Sequence, residues 1–472
     1  MQARFQSPGW NNGSSKSKEV ILSDYKKFDE YLEKHIDDSI RELSKLAAQP
    51  SVGAQNWGMK ECANLVSEML KARGFSVEIQ PTAGAPVVFG EKKGKSNKTL
   101  LFYNHYDVQP PEPLELWETP PFEPSLREGK LYARGVSDDK GHITSRLFAI
   151  DALLAQGELP CTIKFVIEGE EETSSVHLHD YIVANKKKLA ADACIWEFGG
   201  IDHRGIPVQY LGLRGICYVE LWVETASTDI HSGLGGSILP NAAWRLVWAL
   251  RSLKGSDEKI RIPGFYDKVQ KPSQRDIAYF EALPEVADEY KSRFGVKNFI
   301  KGLKDGVDLR IAEVFEPTCT ICGLTSGYQG KGSKTVQPSR ASAKVDFRLV
   351  PDQAPEEILK LLRAHLDAEG FSDIQIDYLG GERPARTDPD HPFVKLVVDT
   401  SKEVYGVPME IVPMVGGSGP NYPFIHELNL PVATAGLGYP DTRAHAPNEN
   451  IRIDLYLMHA KHMARVINEF SK

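Results

Sequence analysis

Four short apolar runs, far apart in the sequence, each end in acidic or histidine side chains, and this constrains the fold more than any other feature. Residues 98–103 (KTLLFY) run into Asn104-His105-Tyr106-Asp107, and residues 161–167 (CTIKFVI) into Glu168-Gly169-Glu170-Glu171-Glu172. Residues 191–196 (ADACIW) run into Glu197, and residues 430–435 (LPVATA) open toward Ala444-His445-Ala446-Pro447-Asn448-Glu449. Short runs of this composition between polar punctuation read as buried strands of a parallel sheet. Ligands of such sheets bind beyond the carboxyl ends of the strands. Carboxylates and imidazoles from distant segments then converge, which points to a metal site, and to a two-metal one.

A chain of 472 residues exceeds one ordinary core, so two domains are expected. The apolar fraction of 41% and charged fraction of 25% are those of a globular protein. A net charge of −8 argues against nucleic acid as a partner. No apolar stretch reaches the ~18–20 residues of a membrane span. Residues 1–18 are polar, rich in Gly, Ser and Asn, and lack the apolar core of a signal peptide, so they read as a disordered tail. Six scattered cysteines suit a reducing, cytoplasmic setting. Cys319 and Cys322 form a C-x-x-C within an expected strand, 318–324, where residues three apart face opposite ways. Core packing is therefore expected for both.

Helical spacing marks residues 25–46, 59–74 and 142–156, with strands at 76–80 and 98–103 among them. Alternating strand and helix implies an α/β layer architecture. The pattern changes after Gly212. Residues 215–225 alternate like a strand covered on one face, 241–253 are helical, and 339–350 and 374–379 supply two further strands, with a long insertion between Gly255 and Gly302. After Gly380-Gly381 the first style resumes, with a helix at 392–405, strand, loop, strand, and a final helix from Asp454. The simplest organisation is a catalytic α/β domain built from 19–212 and 383–472, with a smaller α+β domain inserted at 213–382.

Taken singly, the polar motifs have ordinary readings. His105-Tyr106-Asp107 is a common polar strand end, although Asp107 could orient His105 and raise its basicity. Acidic residues in 135–141 (GVSDDKG) suit the start of the following helix. Glu170-Glu171-Glu172 could be a solvated loop. Jointly they supply the oxygen and nitrogen ligands of zinc, manganese or cobalt. A metal pair also needs a bridging carboxylate and a separate base for water.

The motifs H-x-D-V-x-P, G-x-x-D-D-K-G, E-G-x-E-E and A-H-x-x-N-E occur in that order. In this the chain resembles the di-zinc metallopeptidase family of carboxypeptidase G, aminoacylase and succinyl-diaminopimelate desuccinylase, from about Ser39 onward. Trp117, Pro121-Phe122, Gly129-Lys130-Leu131-Tyr132, residues 212–218 and Phe347-Arg348-Leu349-Val350-Pro351 are most similar to its cytosolic non-specific and carnosine dipeptidase branch.

The resemblance implies a catalytic α/β/α domain with a mixed, mostly parallel sheet around a two-metal site, plus an inserted α+β lid and dimerisation domain. It implies that Asp138 bridges two divalent ions, zinc first, with manganese or cobalt as alternatives. His105 and Glu197 would complete one ion, Glu172 and His445 the other. Glu171 would be the general base and Asp107 the support of His105. Asp229-Ile230-His231-Ser232-Gly233 matches the motif whose histidine reaches the partner's site in a homodimer. Thr335, Arg348 and Ser418 match substrate-binding positions, Arg348 being suited to a free carboxylate.

Two positions depart from the dipeptidase pattern. Glu197 stands where that branch carries aspartate, and residues 379–384 (LGGERP) lack a histidine. The implied activity is metal-dependent hydrolysis of dipeptides or short peptides with a free C-terminal carboxylate. The alternative is an N-acyl-amino-acid amidohydrolase.

Overall fold

The structure, a computed structural model, describes residues 15–472. Its largest sheet has six strands in the order Ser76–Gln80, Val87–Lys92, Thr162–Glu168, Thr99–His105, Ala193–Trp196, Val432–Thr434. The first two pairings are antiparallel and the remaining three parallel. The sheet is therefore mixed, with its parallel half holding all four of the runs singled out in the sequence.

Those runs are continuously apolar because both faces of the sheet are covered. Successive side chains alternate across a strand, so Leu100 and Phe102 join one core while Leu101 and Tyr103 join the other. The first core lies under helices Ser15–Ala48, Met59–Ala72, Lys140–Leu154 and Ile453–Phe470. The second includes Trp196, Tyr181, Ile182 and Phe424.

Helix Lys140–Leu154 departs from the expected one-sided pattern. All but two of its residues are buried, Lys140, Thr144, Ser145 and Arg146 among them. It lies between the sheet and two further helices, so polar side chains there are satisfied internally rather than by water.

The second sheet is antiparallel, in the order Thr318–Ser326, Arg340–Leu349, Gly215–Glu224, Gln375–Glu382. Cys217, Val219, Leu221 and Val223 point to one face, where they pack against helices Ala242–Leu253 and Pro355–Ala368. The second of these helices was not expected. Pro355 in its first turn, followed by Glu356 and Glu357, is a start signal that the sequence displays.

The expected insertion after Gly255 is also structured, with helices Gln274–Ala282 and Ala287–Phe294 followed by Val307–Val314. Phe280, Val314 and Phe315 close a small core around Met414, which belongs to the returning segment. The two passages between the sheets lie side by side, since Gly212–Leu213 pairs with Ala385–Arg386.

Of the tail expected at 1–18, residues 1–14 lie outside the described residues, and the first described helix begins at Ser15. Among the described residues no helix is long and apolar enough to cross a membrane. Core packing holds for Cys319 but not for Cys322, which is exposed on the edge strand. The two face opposite ways, and the ladder is irregular between Ile321 and Gly323.

Candidate metal centre

Three parallel strands deliver the first polar groups to one edge of the large sheet. His105 is the last residue of its strand, Glu168 the last of the neighbour, and Glu197 follows Trp196 directly. Buried Arg146 ties two of these ends together. It donates to Tyr103 O at 2.9 Å, Asn104 Oδ1 at 2.8 Å and Glu197 O at 3.1 Å, and also to Trp196 O. Its hydrogen-bond acceptors are all neutral, and burial pulls its guanidinium down to about 10.

Asp138 faces two imidazoles at once. Its Oδ1 lies 2.9 Å from His105 Nε2 and its Oδ2 2.9 Å from His445 Nε2. Glu197 Oε2 stands 3.9 Å from His105 Nε2, and Glu172 Oε2 stands 3.2 Å from His445 Nε2. Asp138, Glu172 and His445 offer ligand atoms within 4.8 Å of one another. Asp139 makes a similar group with His105 and Glu197, yet its oxygens are already engaged. Asn104 Nδ2 and the His105 N–H donate to Oδ2 at 2.6 and 3.2 Å, and His142 Nδ1 lies 2.8 Å from Oδ1. Asp138, unlike Asp139, turns one oxygen to each of two imidazoles.

A buried carboxylate from the far end of the chain shapes the loop carrying Asp138. Glu449 accepts from Arg134 Nη1 at 2.7 Å and from the backbone N–H groups of Gly135, Ser137 and Asp138 at 2.9, 2.8 and 3.1 Å. Gly135 permits the turn, with φ of +83° and Val108 2.5 Å from where a Cβ would lie.

Asp107 lies between His105 and the glutamate turn. His105 Nδ1 lies 3.0 Å from its carbonyl oxygen and 3.4 Å from its carboxylate. The same carboxylate accepts the N–H groups of Glu171 and Glu172 at 3.2 and 2.9 Å. Gly169 lets this turn lie on the Tyr106 ring, whose atoms come within 2.4 Å of a Cβ position there. Glu170 points elsewhere, to His177 Nδ1 at 2.8 Å.

The electrostatics follow from crowding, with His105 and Glu197 buried, Asp138, Glu171 and Glu172 half-buried and His445 exposed. Burial, then repulsion from Glu172 and Asp138, holds the Glu171 carboxyl well above its ordinary range, against the pull of His105. Glu197 is raised by burial and by Glu171. Asp138 is depressed because its two imidazoles outweigh burial, and His445 is pushed up to about 10 by Asp138 and Glu172. Titrations displaced in opposite senses within one cluster mark a functional site.

There are two further groups, one joining the second sheet to Ser418 of the returning segment and one within residues 213–382. Arg348 Nη1 donates to Ser418 Oγ at 2.7 Å. His231 Nε2 lies 3.5 Å from Thr335 Oγ1, and both are exposed. A cleft of about 620 Å³ is lined by Asp138, Glu171, Glu197 and His445, but by none of these four residues. The sequence reading missed Arg146, Asp139 and Glu449 as organisers of the site. Glu449 and Asp139 carried a signal, as members of A-H-x-x-N-E and G-x-x-D-D-K-G, and Arg146 carried none.

Residues 101–469 match the family described as Peptidase family M20/M25/M40. The Cys-Gly metallodipeptidase of Saccharomyces cerevisiae is 30% identical over 442 residues, covering 87% of this chain and 90% of its own. The Beta-Ala-His dipeptidase of Mus musculus is 27% identical, covering 94% of each. The crystal structure of an M20 family metallo-carboxypeptidase from Sulfolobus solfataricus superposes with a TM-score of 0.88 at 36% identity, over 92% of this chain and 99% of that one. The chain belongs to peptidase family M20/M25/M40. It is a metallopeptidase.

Proposed function

We propose that this chain hydrolyses the amide bond of dipeptides or short peptides with a free C-terminal carboxylate, using two divalent ions, zinc first and manganese or cobalt as alternatives. The observation that carries the reading is the division of Asp138 between His105 and His445. A buried oxygen without a partner, Glu197 Oε2, fits the same set, because such an atom requires a cation or donor. In this reading His105 and Glu197 would hold one ion and Glu172 and His445 the other, with Asp138 shared between them. Bound there, the ions would supply a water of lowered pKa and polarise the carbonyl.

The chain's own groups do the rest. Glu171, kept basic enough by burial and neighbouring carboxylates, takes the proton of the attacking water and returns it to the leaving amine. Arg348, with Ser418, grips the substrate's C-terminal carboxylate. His231, beside Thr335, would donate to the carbonyl oxygen of a partner subunit's substrate, since neither residue lines the cleft of its own chain. Exposed Leu234, Ile238, Trp244 and Trp248 follow it and support a homodimer. The adjoining passages at Gly212–Leu213 and Ala385–Arg386 support a catalytic domain of 19–212 and 383–472 with a lid at 213–382. Six unpaired cysteines support a cytoplasmic setting.

A second reading, an N-acyl-amino-acid amidohydrolase, is favoured by the longer Glu197 side chain at the cluster. Elemental analysis for close to two ions per chain, loss of activity on chelation, and a screen of dipeptides against acylated amino acids test both. Activity untouched by chelators, with no bound metal, would sink the whole reading.

A further inference from the structure

We propose that the cleft beside the metal cluster selects substrates bearing a second carboxylate on the acyl side of the scissile amide, and that Arg310 reads it. The inference rests on the peptidase reading above and adds a substrate class to it. Arg348 and Ser418, assigned to the C-terminal carboxylate, lie outside the cleft lining, so the cleft receives the other half of the substrate. Its volume of about 620 Å³ exceeds what a small aliphatic side chain would fill.

Besides the cluster, the cleft is lined by a wall from the inserted segment that includes Pro284, Tyr290, Arg310 and Glu313. Three arginines line it, and two are already neutralised. Arg204 Nη2 lies 2.5 Å from both Asp202 and Glu410, and Arg293 has Glu289 at 3.7 Å. Arg310 makes no salt bridge among the described residues. Its Nη2 donates to Pro284 O at 2.6 Å, which fixes the guanidinium and leaves its other donors unclaimed.

The acidic groups around it are occupied. Glu313 accepts the Tyr290 hydroxyl at 2.8 Å. Asp305 accepts the backbone N–H groups of Val286, Ala287 and Gly306. Helix Val307–Val314 packs on the core around Met414, which joins it to the returning segment beside the cleft that Arg310 lines. A fixed planar fork facing a cavity matches a carboxylate better than any neutral group. The carboxylate could come from an acidic first residue of a dipeptide or from a dicarboxylic acyl group, and the test separates these sources.

The experiment compares kcat/KM of the metal-loaded protein on two matched pairs, Glu-Leu against Gln-Leu and N-glutaryl-leucine against N-butyryl-leucine. A preference for the acidic member of about tenfold is expected in at least one pair, from a charge-assisted hydrogen bond. The pair that shows it identifies the source. Arg310→Gln should bring that ratio to within about twofold of unity, Arg310→Lys should retain part of it, and Arg310→Glu should favour Lys-Leu over Gln-Leu. Native turnover without acidic preference, or a ratio unchanged in the variants, overturns the assignment of Arg310 alone. Native protein that cleaves none of these substrates, nor any other peptide or acyl amino acid, overturns the peptidase reading and this inference with it.

Discussion

Glu449 accepts the backbone N–H of Asp138 at 3.1 Å, so the carboxylate that faces both imidazoles is positioned by another that touches neither. Glu449 and its partner Arg134 are each 1% exposed. Glu449→Ala should destabilise the protein by about 3–5 kcal/mol, because a buried guanidinium loses its counter-charge. Metal affinity should fall about 10–100-fold, as the supporting contact is lost. Thermal unfolding and a metal titration check the two effects separately.

Glu171→Gln should retain metal, since Glu172 and not Glu171 faces His445, yet lose activity by about 10²-fold or more. Near-normal turnover in that variant would show that the base is misassigned.

Blocking the substrate's C-terminal carboxylate as an amide should slow turnover. Arg348→Ala should erase the distinction between free and blocked forms, leaving Ser418 without its 2.7 Å partner. Equal rates on both forms with native protein would remove the carboxylate from the recognition scheme.

If His231 serves the partner's site, His231→Ala and Glu171→Gln should each be nearly inactive alone and regain activity after subunit exchange. Random exchange in a two-fold dimer makes about half the molecules hybrids with one intact site of two, so roughly a quarter of native activity should return. Exchange confirmed by mass with no recovery would place His231 within its own chain's chemistry or outside it altogether.

Buried Glu168 accepts the Tyr103 and Ser175 hydroxyls, and burial pushes its carboxyl up to about 8. A raised acid binds its proton more tightly folded than unfolded, so stability is highest below the unfolded value near 4.3 and falls as pH rises from there through 8. Glu168→Gln removes that dependence. In metal-free protein the variant's thermal midpoint, relative to native, should rise between pH 5 and pH 9. A constant difference between the two pH values would show that the charged form is accommodated at no cost.

What the sequence disclosed depended on whether a residue's role was local. His105 ends a strand of the large sheet and Glu172 and Glu197 follow closely on two others, which composition reveals, whereas Asp138 and His445 were singled out through the ordered motifs of the family resemblance. The roles of Asp139 and Arg146 could not be read this way. Asp139 looks like a helix cap, yet its side chain meets Asn104, the His105 N–H and the His142 ring rather than capping the backbone N–H groups of its helix. Arg146 looks like a solvated position on an amphipathic helix, and only the packing of that helix between two layers turns it inward. Helix Pro355–Ala368 was different, since its start signal was present and unread. Helix Gln274–Ala282 likewise opens with a Ser273–Asp276 capping box. The pairing of Arg348 with Ser418 is a matter of tertiary distance, which no pattern within either segment encodes.

Asp138 and His445 are 307 positions apart, and Glu449 lies farther still. A polypeptide emerging from the ribosome has built almost the entire large sheet before either residue exists to meet Asp138. A chain that stops before residue 445 lacks both the second imidazole and the carboxylate that shapes the Asp138 loop. Chains truncated before His445 should therefore be unable to hydrolyse peptides, so the geometry ties activity to the presence of the returning segment.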